Sequence, residues 1–281
     1  MNIAISAGLS TTFDPLAFAR RKAEDENNAP GDLTGYNCPD CLNRGYTTDV
    51  DDAGSLMYQQ CRCMEVRQSL RNIELSGLAG VIDRWTFDAF HATESWQKSL
   101  KSGAEQFVQA VRAGGESWFF VSGQPGCGKS HICTAISGEL MRSGLAMKYM
   151  VWPEEAGKIK ASRNDPEKQA ELLEPLKTVD VLYIDDLLKV ARSNDGWRHD
   201  PDRPTDADIR LCFEIINARY LRGKTTVFSS EMSLTDELMD MDGATFSRVY
   251  QRATAPTGFV FSIAHAAGRN HRLRGAGGSV E

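Results

Sequence analysis

The segment Gly123-Gln124-Pro125-Gly126-Cys127-Gly128-Lys129-Ser130 constrains this chain more than any other. It satisfies G-x-x-x-x-G-K-[ST] at every defined position. It also sits between an apolar run, Trp118-Phe119-Phe120-Val121, and a helix-forming stretch that starts near Lys129. Glycines in such a loop let the backbone turn sharply, so successive amide N–H groups can surround phosphate oxygens. The N-terminus of the following helix adds partial positive charge. Lys129 is then expected to reach the β- and γ-phosphates of ATP, and Ser130 to ligate Mg²⁺. Gly123 through Ser130, with His131 beside them, are the expected nucleotide-binding residues.

A second apolar run, Asp180-Val181-Leu182-Tyr183-Ile184-Asp185-Asp186, ends in two carboxylates. In P-loop enzymes a sheet strand delivers such a carboxylate to the Mg²⁺ beside the triphosphate. Asp185 is expected on the metal through water, and Asp186 on the attacking water. Further apolar runs at Met147–Val151, Thr225–Phe228 and Phe259–Ile263 alternate with helical patterns. The clearest helix is Asp206–Leu221, where Ile209, Cys212, Phe213, Ile216 and Tyr220 step by three and four residues. This alternation predicts an α/β domain with a five-stranded parallel sheet and right-handed crossovers. Lys98–Ala113 reads as a helix ahead of that domain, and 191–204, rich in Asp, Arg, Pro and Asn, reads as a loop.

Too little chain follows Ile263 to build a helical lid, so the adenine needs another cover. The cluster Trp85, Phe87 and Phe90 is the candidate, with a hydrophobic clasp on the core as the other reading. The basic stretch Arg269–Arg274 either touches nucleic acid or phosphate or is simply solvated.

Cys38-Pro39-Asp40-Cys41 and Cys61-Arg62-Cys63 form two pairs. Gly45–Val50 and Ser55–Tyr58 between them can pair as a hairpin around the turn Asp51–Gly54. Four thiolates can close a tetrahedron around a structural Zn²⁺. A module of under ~40 residues has too small a core to fold unaided, which makes a metal the natural staple. Free or redox-active thiols are the other reading. Seven cysteines in a chain without an export signal argue against a disulfide framework, and Cys127, Cys133 and Cys212 read as small buried residues.

Hydrophobic residues at 41% and charged residues at 25% exclude wholesale disorder. A net charge of −6 excludes a uniformly basic nucleic-acid binder. No apolar run approaches the ~18 residues of a membrane helix, so a cytoplasmic protein without membrane association is expected. The expected organisation is a flexible segment over 1–35, within which Asp14-Pro15 could open a short helix, and a zinc-binding module over 36–66. A helical connector with the aromatic cluster follows over 67–116, then an ATPase domain over 117–274 and a disordered tail over 275–281.

The order of these motifs resembles the AAA+ ATPases. Within them it is most similar to the DnaC/IstB-type helicase loaders, in the zinc-bearing form found in phages and prophages. The residues that carry the likeness run from Tyr36 to Arg274. They are the cysteine pairs, the aromatic cluster, Gly123–Ser130, Asp180–Leu187, Asn217-Ala218-Arg219-Tyr220, Ser229-Ser230-Glu231, Ser247-Arg248 and Asn270-His271-Arg272. The resemblance implies a P-loop AAA+ core without a helical lid, preceded by a small four-cysteine zinc module. It also implies ATP binding, self-assembly into an open spiral, contact with single-stranded DNA and delivery of a hexameric replicative helicase.

Carried over by position, Lys129 and Ser130 bind nucleotide and Mg²⁺, and Asp185 and Asp186 form the acidic pair. Arg248 becomes the arginine finger that reaches a neighbour's γ-phosphate, a surface ion pair being the other reading. Ser230 or Glu231 takes the sensor place, where Asn is common. Most relatives with ATPase activity carry Glu where Asp186 stands, so slow hydrolysis is expected. Arg219 is a weaker candidate for an interface or sensor role, and Lys158, Lys160 and Arg163 could meet DNA phosphates or form a solvated basic face. Alternatives are a transposition helper ATPase that polymerises on duplex DNA and a non-enzymatic zinc adaptor.

Overall fold

The computed structural model describes residues 13–75, 79–190, 203–255, 258–266 and 268–271. The chain divides into two compact units, with the boundary between Arg67 and Gln68.

The first unit opens with helix α1 (Pro15–Asn28). Asp14 caps it, its carboxylate accepting from the N–H groups of Leu16 and Ala17 at 3.0 and 3.2 Å, and Pro15 occupies the first turn. The segment up to Gly35 was expected to be flexible, with a short helix opening at Asp14-Pro15 as the other reading; over 15–28 it is helical. Its polar sequence left the extent of the helix open, because only Ala19 and Ala23 are buried along it. What orders the helix is a set of long-range polar contacts to strand β1 (Tyr46–Val50). The Asn27 side chain donates to the Thr48 carbonyl at 2.7 Å and accepts from the Thr48 N–H at 2.9 Å. Thr48 Oγ1 donates to Glu26 at 3.0 Å. Strand β2 (Leu56–Gln60) pairs antiparallel with β1, and Asp51 closes the turn by accepting from the N–H groups of Ala53 and Ser55. Helix α2 (Cys63–Leu75) starts at the fourth clustered cysteine.

The second unit is an α/β sandwich. Helices α3 (Ala79–Ile82) and α4 (Ser95–Arg112) precede strand β3 (Phe119–Gly123). Then come α5 (Lys129–Arg142), β4 (Met147–Val151), α6 (Trp152–Ala161), α7 (Pro166–Thr178) and β5 (Val181–Asp185). Helix α8 (Asp206–Leu221) and strand β6 (Thr225–Ser230) follow. A π turn at Leu234–Leu238 runs into α9 (Met239–Met241), and α10 (Gly243–Thr254) leads to β7 (Val260–Ile263).

The sheet order is β4-β5-β6-β3-β7, with every pair parallel. This is the five-stranded parallel P-loop core expected from the motif order. The three inner strands, β5, β6 and β3, are buried at every position, which accounts for the apolar runs in β5 and at the start of β3; β6 instead carries four hydroxyl residues, Thr225, Thr226, Ser229 and Ser230. Trp118, Phe120, Ile184, Ile215 and Phe228 lie in the core between the sheet and its helices. Because all strands point the same way, the loop after β3 and the carboxylates ending β5 emerge on one edge, with β6 between them.

Arg219 has a different place from the interface or sensor role considered for it. Its side chain is fully buried. It donates to the carbonyls of Leu176 and Val179 at 2.8 and 3.0 Å, to the Thr225 carbonyl, and to Thr226 Oγ1 at 2.9 Å. Burial pulls its pKa down to about 9, against the opposing pull of Asp180. Arg219 is an internal brace that ties the end of α7 to the start of β6.

Candidate functional site

Between β3 and α5 the backbone turns through Gly126 and Gly128 with φ of +76° and +98°, a region that side chains disfavour. Space is also short there. A Cβ on Gly126 would stand 2.0 Å from Asn270 Oδ1, and one on Gly128 3.1 Å from the Phe90 ring. The Lys129 ammonium is buried and folded onto its own loop, donating to the carbonyls of Gly123 and Gln124 at 2.7 and 3.0 Å. Ser130 Oγ donates to Asp185 Oδ1 at 3.3 Å. A cavity of about 260 Å³ is lined by Lys129, Ser130 and His131 from the loop side and by Asp185 and Asp186 from the strand side. Two motifs far apart in the chain thus meet in one cavity.

Asp185 is only 9% exposed, and the groups that touch its carboxylate are hydroxyls. Tyr149, from β4, donates to Oδ2 at 3.0 Å, and Ser229, from β6, donates to Oδ1. Burial and the nearby Asp185 charge hold the Tyr149 phenol far above its ordinary range, so it remains a proton donor. Tyr149 did not stand out in the sequence, and Ser229 did so only as a neighbour of the sensor candidates. The available signal was a hydroxyl within a sheet strand.

Asp186 and Leu188 both adopt left-handed φ, +53° and +57°. Such conformations cost roughly 1–2 kcal/mol per non-glycine residue. Hydrogen bonds hold the turn. The Leu187 N–H donates to the Ser229 carbonyl at 2.8 Å, and the Lys189 N–H to the Asp186 carbonyl at 3.0 Å. Leu188 itself is fully buried. Strain of this kind persists where the surroundings over-determine it. The turn folds Lys189 back so that its ammonium donates to Asp186 Oδ2 at 3.0 Å and to Glu231 Oε1 at 2.8 Å. Burial alone would lower the Lys189 pKa, but the two carboxylates override it and the pKa rises. Of the two sensor candidates, Glu231 lines the cavity. Ser230 is buried elsewhere, donating to the Leu187 carbonyl and accepting from the Met232 N–H, both at 3.1 Å.

The aromatic cluster packs around His131. Its Nε2 donates to the Thr86 carbonyl at 3.0 Å. The Trp85 ring stacks on the imidazole at 5.7 Å and 11°, and Phe90 meets it edge-on at 5.2 Å. Burial lowers the His131 pKa, which keeps the ring neutral. Trp85 lines the cavity, whereas Phe90 is a buried clasp under Gly128. The segment after β7 runs along the glycine-rich loop between β3 and α5. The Ala266 N–H donates to Gln124 Oε1 at 2.9 Å and the His271 N–H to the Gly126 carbonyl at 3.0 Å. Arg272, Leu273 and Arg274 lie outside the described residues.

Arg248 is not among the cavity residues. It lies on α10, donates to the Ala244 carbonyl, and stands 5.8 and 5.9 Å from the rings of Phe213 and Tyr220. Lys158 and Lys160 do not form a free basic face, because each pairs with a carboxylate at 2.5 Å, Glu155 and Asp208 respectively.

In the first unit the four Sγ atoms of Cys38, Cys41, Cys61 and Cys63 lie within 4.8 Å of one another, all buried. Cys38 and Cys61 are 3.7 Å apart, and Cys41 and Cys63 3.5 Å. Tetrahedral Zn–S bonds of about 2.3 Å place sulfurs about 3.8 Å apart, so the set fits Zn²⁺. The turn after Cys41 takes left-handed φ at Leu42 and Asn43, which lets the Gly45 N–H donate to Cys41 Sγ at 3.3 Å. Burial would raise the Cys41 thiol, but that N–H and the neighbouring thiols bring it down to about 7. Asn43 Oδ1 accepts from the Cys38 N–H at 2.9 Å and from Arg67 at 3.0 Å, bracing the first knuckle.

No protein-family model matches the chain. Over 270 residues it is 28% identical to the phage-like element PBSX protein XkdC of Bacillus subtilis strain 168, covering 94% of this chain and 96% of that protein. Over 118 residues it is 29% identical to the replicative helicase loader DnaC of Escherichia coli K12, covering 42% of this chain and 48% of DnaC. The chain therefore matches about half the length of DnaC. A crystal structure of the DnaC helicase loader superposes with a TM-score of 0.49 at 19% identity, over 64% of this chain and 96% of that one.

Proposed function

We propose that this chain, a relative of the DnaC-type helicase loaders, binds Mg·ATP in the cavity between the phosphate loop and the acidic pair. The bound nucleotide would control its grip on a hexameric replicative helicase and on single-stranded DNA. The kinship with DnaC and XkdC supports a replication-related AAA+ loader. One observation supports the nucleotide reading above the others: Lys129, Ser130, Asp185 and Asp186, from two separate motifs, line the same cavity.

The loop amides and Lys129 hold the phosphates, Lys129 giving up the carbonyls of Gly123 and Gln124 as it does so. Ser130 and Asp185 are the residues that would hold Mg²⁺, already 3.3 Å apart through a hydroxyl–carboxylate bond. Bound there, the metal would supply charge neutralisation to the phosphates. Asp186 orients the attacking water, and Glu231 lies beside it. Turnover is slow, because the Asp186 side chain is one methylene shorter than the Glu usual at this place. Trp85 faces the base, and Arg248 from an adjoining copy completes the site. Zn²⁺ at the four cysteines is structural, since protein thiolates fill every coordination position.

The test is co-purification with a hexameric replicative helicase in the presence of ATP. A helicase complex that forms with ATP and dissolves on Lys129→Ala supports the reading. A protein that instead coats duplex DNA and retains no helicase overturns it in favour of a transposition helper.

A further inference from the structure

Among the described residues two cations line the cavity, and they are held differently. Lys129 is buried and satisfied by its own loop. Lys189 stands at the rim, 40% exposed, shared between Asp186 at 3.0 Å and Glu231 at 2.8 Å. The cavity lining carries three carboxylates, Asp185, Asp186 and Glu231, against these two ammonium groups. A polyphosphate entering it needs every available cation. It also competes directly with the two carboxylates for the one cation they share.

We propose that Lys189 is a γ-phosphate contact, resting on the acidic side of the cavity in the empty site and transferring to the terminal phosphate when ATP enters. The inference rests on the nucleotide reading above and adds a specificity to it. The turn that carries Lys189 is built for one placement. Asp186 and Leu188 take left-handed φ, Leu188 is anchored in the core, and the Lys189 N–H closes the turn on the Asp186 carbonyl at 3.0 Å. The backbone position of Lys189 is thereby fixed while its four-carbon stem stays free to swing. Neither present partner is strong enough to retain it, since ion pairs at this exposure contribute little. Departure of Lys189 frees the Asp186 carboxylate at the moment a γ-phosphate arrives. The same transfer does not occur with ADP, whose phosphates end one group short, and so Lys189 discriminates between the two nucleotides.

The experiment is calorimetric titration of the full chain with AMPPNP and with ADP, each with Mg²⁺, for wild type, Lys189→Ala and Lys189→Gln. A charge-assisted contact to the terminal phosphate predicts roughly a tenfold to hundredfold loss of AMPPNP affinity in both variants, with ADP affinity changed less than about threefold. Lys189→Gln keeps the stem and one donor, so it controls for packing. Equal losses for both nucleotides, or none for either, overturn the proposal while leaving the nucleotide site intact. Wild-type protein that binds neither nucleotide overturns the site reading and this proposal together.

Discussion

The hydroxyl of Tyr149 donates to Oδ2 of Asp185 at 3.0 Å, so the most buried carboxylate of the cavity is oriented by a residue from the neighbouring strand. The strand pairing explains the contact. Val151 of β4 is in register with Asp185 of β5, and Tyr149 stands two residues back on the same strand. Ser229 reaches the other oxygen from β6 on the opposite side. Asp185 therefore has little freedom to rotate, which is the preorganisation that the proposed Mg²⁺ site requires.

Replacing Tyr149 with Phe tests this directly. The ring would still pack against Tyr183, 5.1 Å away, while the donor is lost. A hydrogen bond to a charged group is worth about 1.5–3 kcal/mol, so the Mg²⁺ concentration that half-saturates nucleotide binding is expected to rise at least tenfold. Nucleotide binding measured without Mg²⁺ should hardly change. An unaltered Mg²⁺ titration would remove Tyr149 from any positioning role.

Arg219 gives a prediction about stability. Its guanidinium satisfies carbonyls from the end of α7 and from β6 at the same time. Arg219→Ala takes the donor away from those buried carbonyls as well as creating a void. A loss of about 3–5 kcal/mol is expected, read as a large drop in the denaturant midpoint of unfolding. Arg219→Lys should recover only part, because a single ammonium cannot span the same acceptors. A midpoint shift of a few tenths of a molar or less would contradict the brace.

The contrast between these residues and the phosphate loop shows what a sequence makes visible. Gly123–Ser130 is legible because its constraints are local: glycine φ angles and a lysine at a fixed offset. The helix Asp206–Leu221 is legible because one face of it is apolar at helical spacing. Tyr149, Ser229 and Lys189 are not, since their roles depend on the order β4-β5-β6 and on a strained turn. Only the start of helix α1, at Asp14-Pro15, was legible, for a related reason. Its order comes from Asn27 bonding to Thr48, 21 residues away, and not from an apolar stripe. Arg219 read as a weak candidate for an interface or sensor role because its acceptors are backbone carbonyls, which leave no trace in side-chain pattern.

The cysteine centre leads to a spectroscopic prediction. Co²⁺ added to metal-free protein should give the intense thiolate charge-transfer and visible bands of a tetrahedral all-thiolate site, and Zn²⁺ should displace it. Structural zinc in small modules contributes on the order of 10–16 kcal/mol of apparent binding energy, so metal removal should unfold the hairpin unit. Cys41→Ser should bring both effects together: loss of the bands and loss of the bound metal by elemental analysis. A protein that holds no metal yet keeps the first unit folded would show the thiols to be packing groups alone.

Arg248 allows a test of assembly. It lies away from the cavity of its own chain, over Phe213 and Tyr220 on the outer side of α8 and α10. If it completes a neighbour's site, Arg248→Ala should bind nucleotide normally yet lose at least about a hundredfold in turnover, in line with arginine fingers in other nucleotide hydrolases. Lys129→Ala should fail at binding instead. Neither variant turns over ATP alone, but a mixture regains activity. An intact Arg248 on the Lys129→Ala subunit can then serve the intact cavity of an Arg248→Ala subunit. The recovered rate should rise with total protein concentration and saturate below the wild-type value, since only mixed contacts of one polarity are productive. A mixture as inactive as its components would assign Arg248 to its own chain.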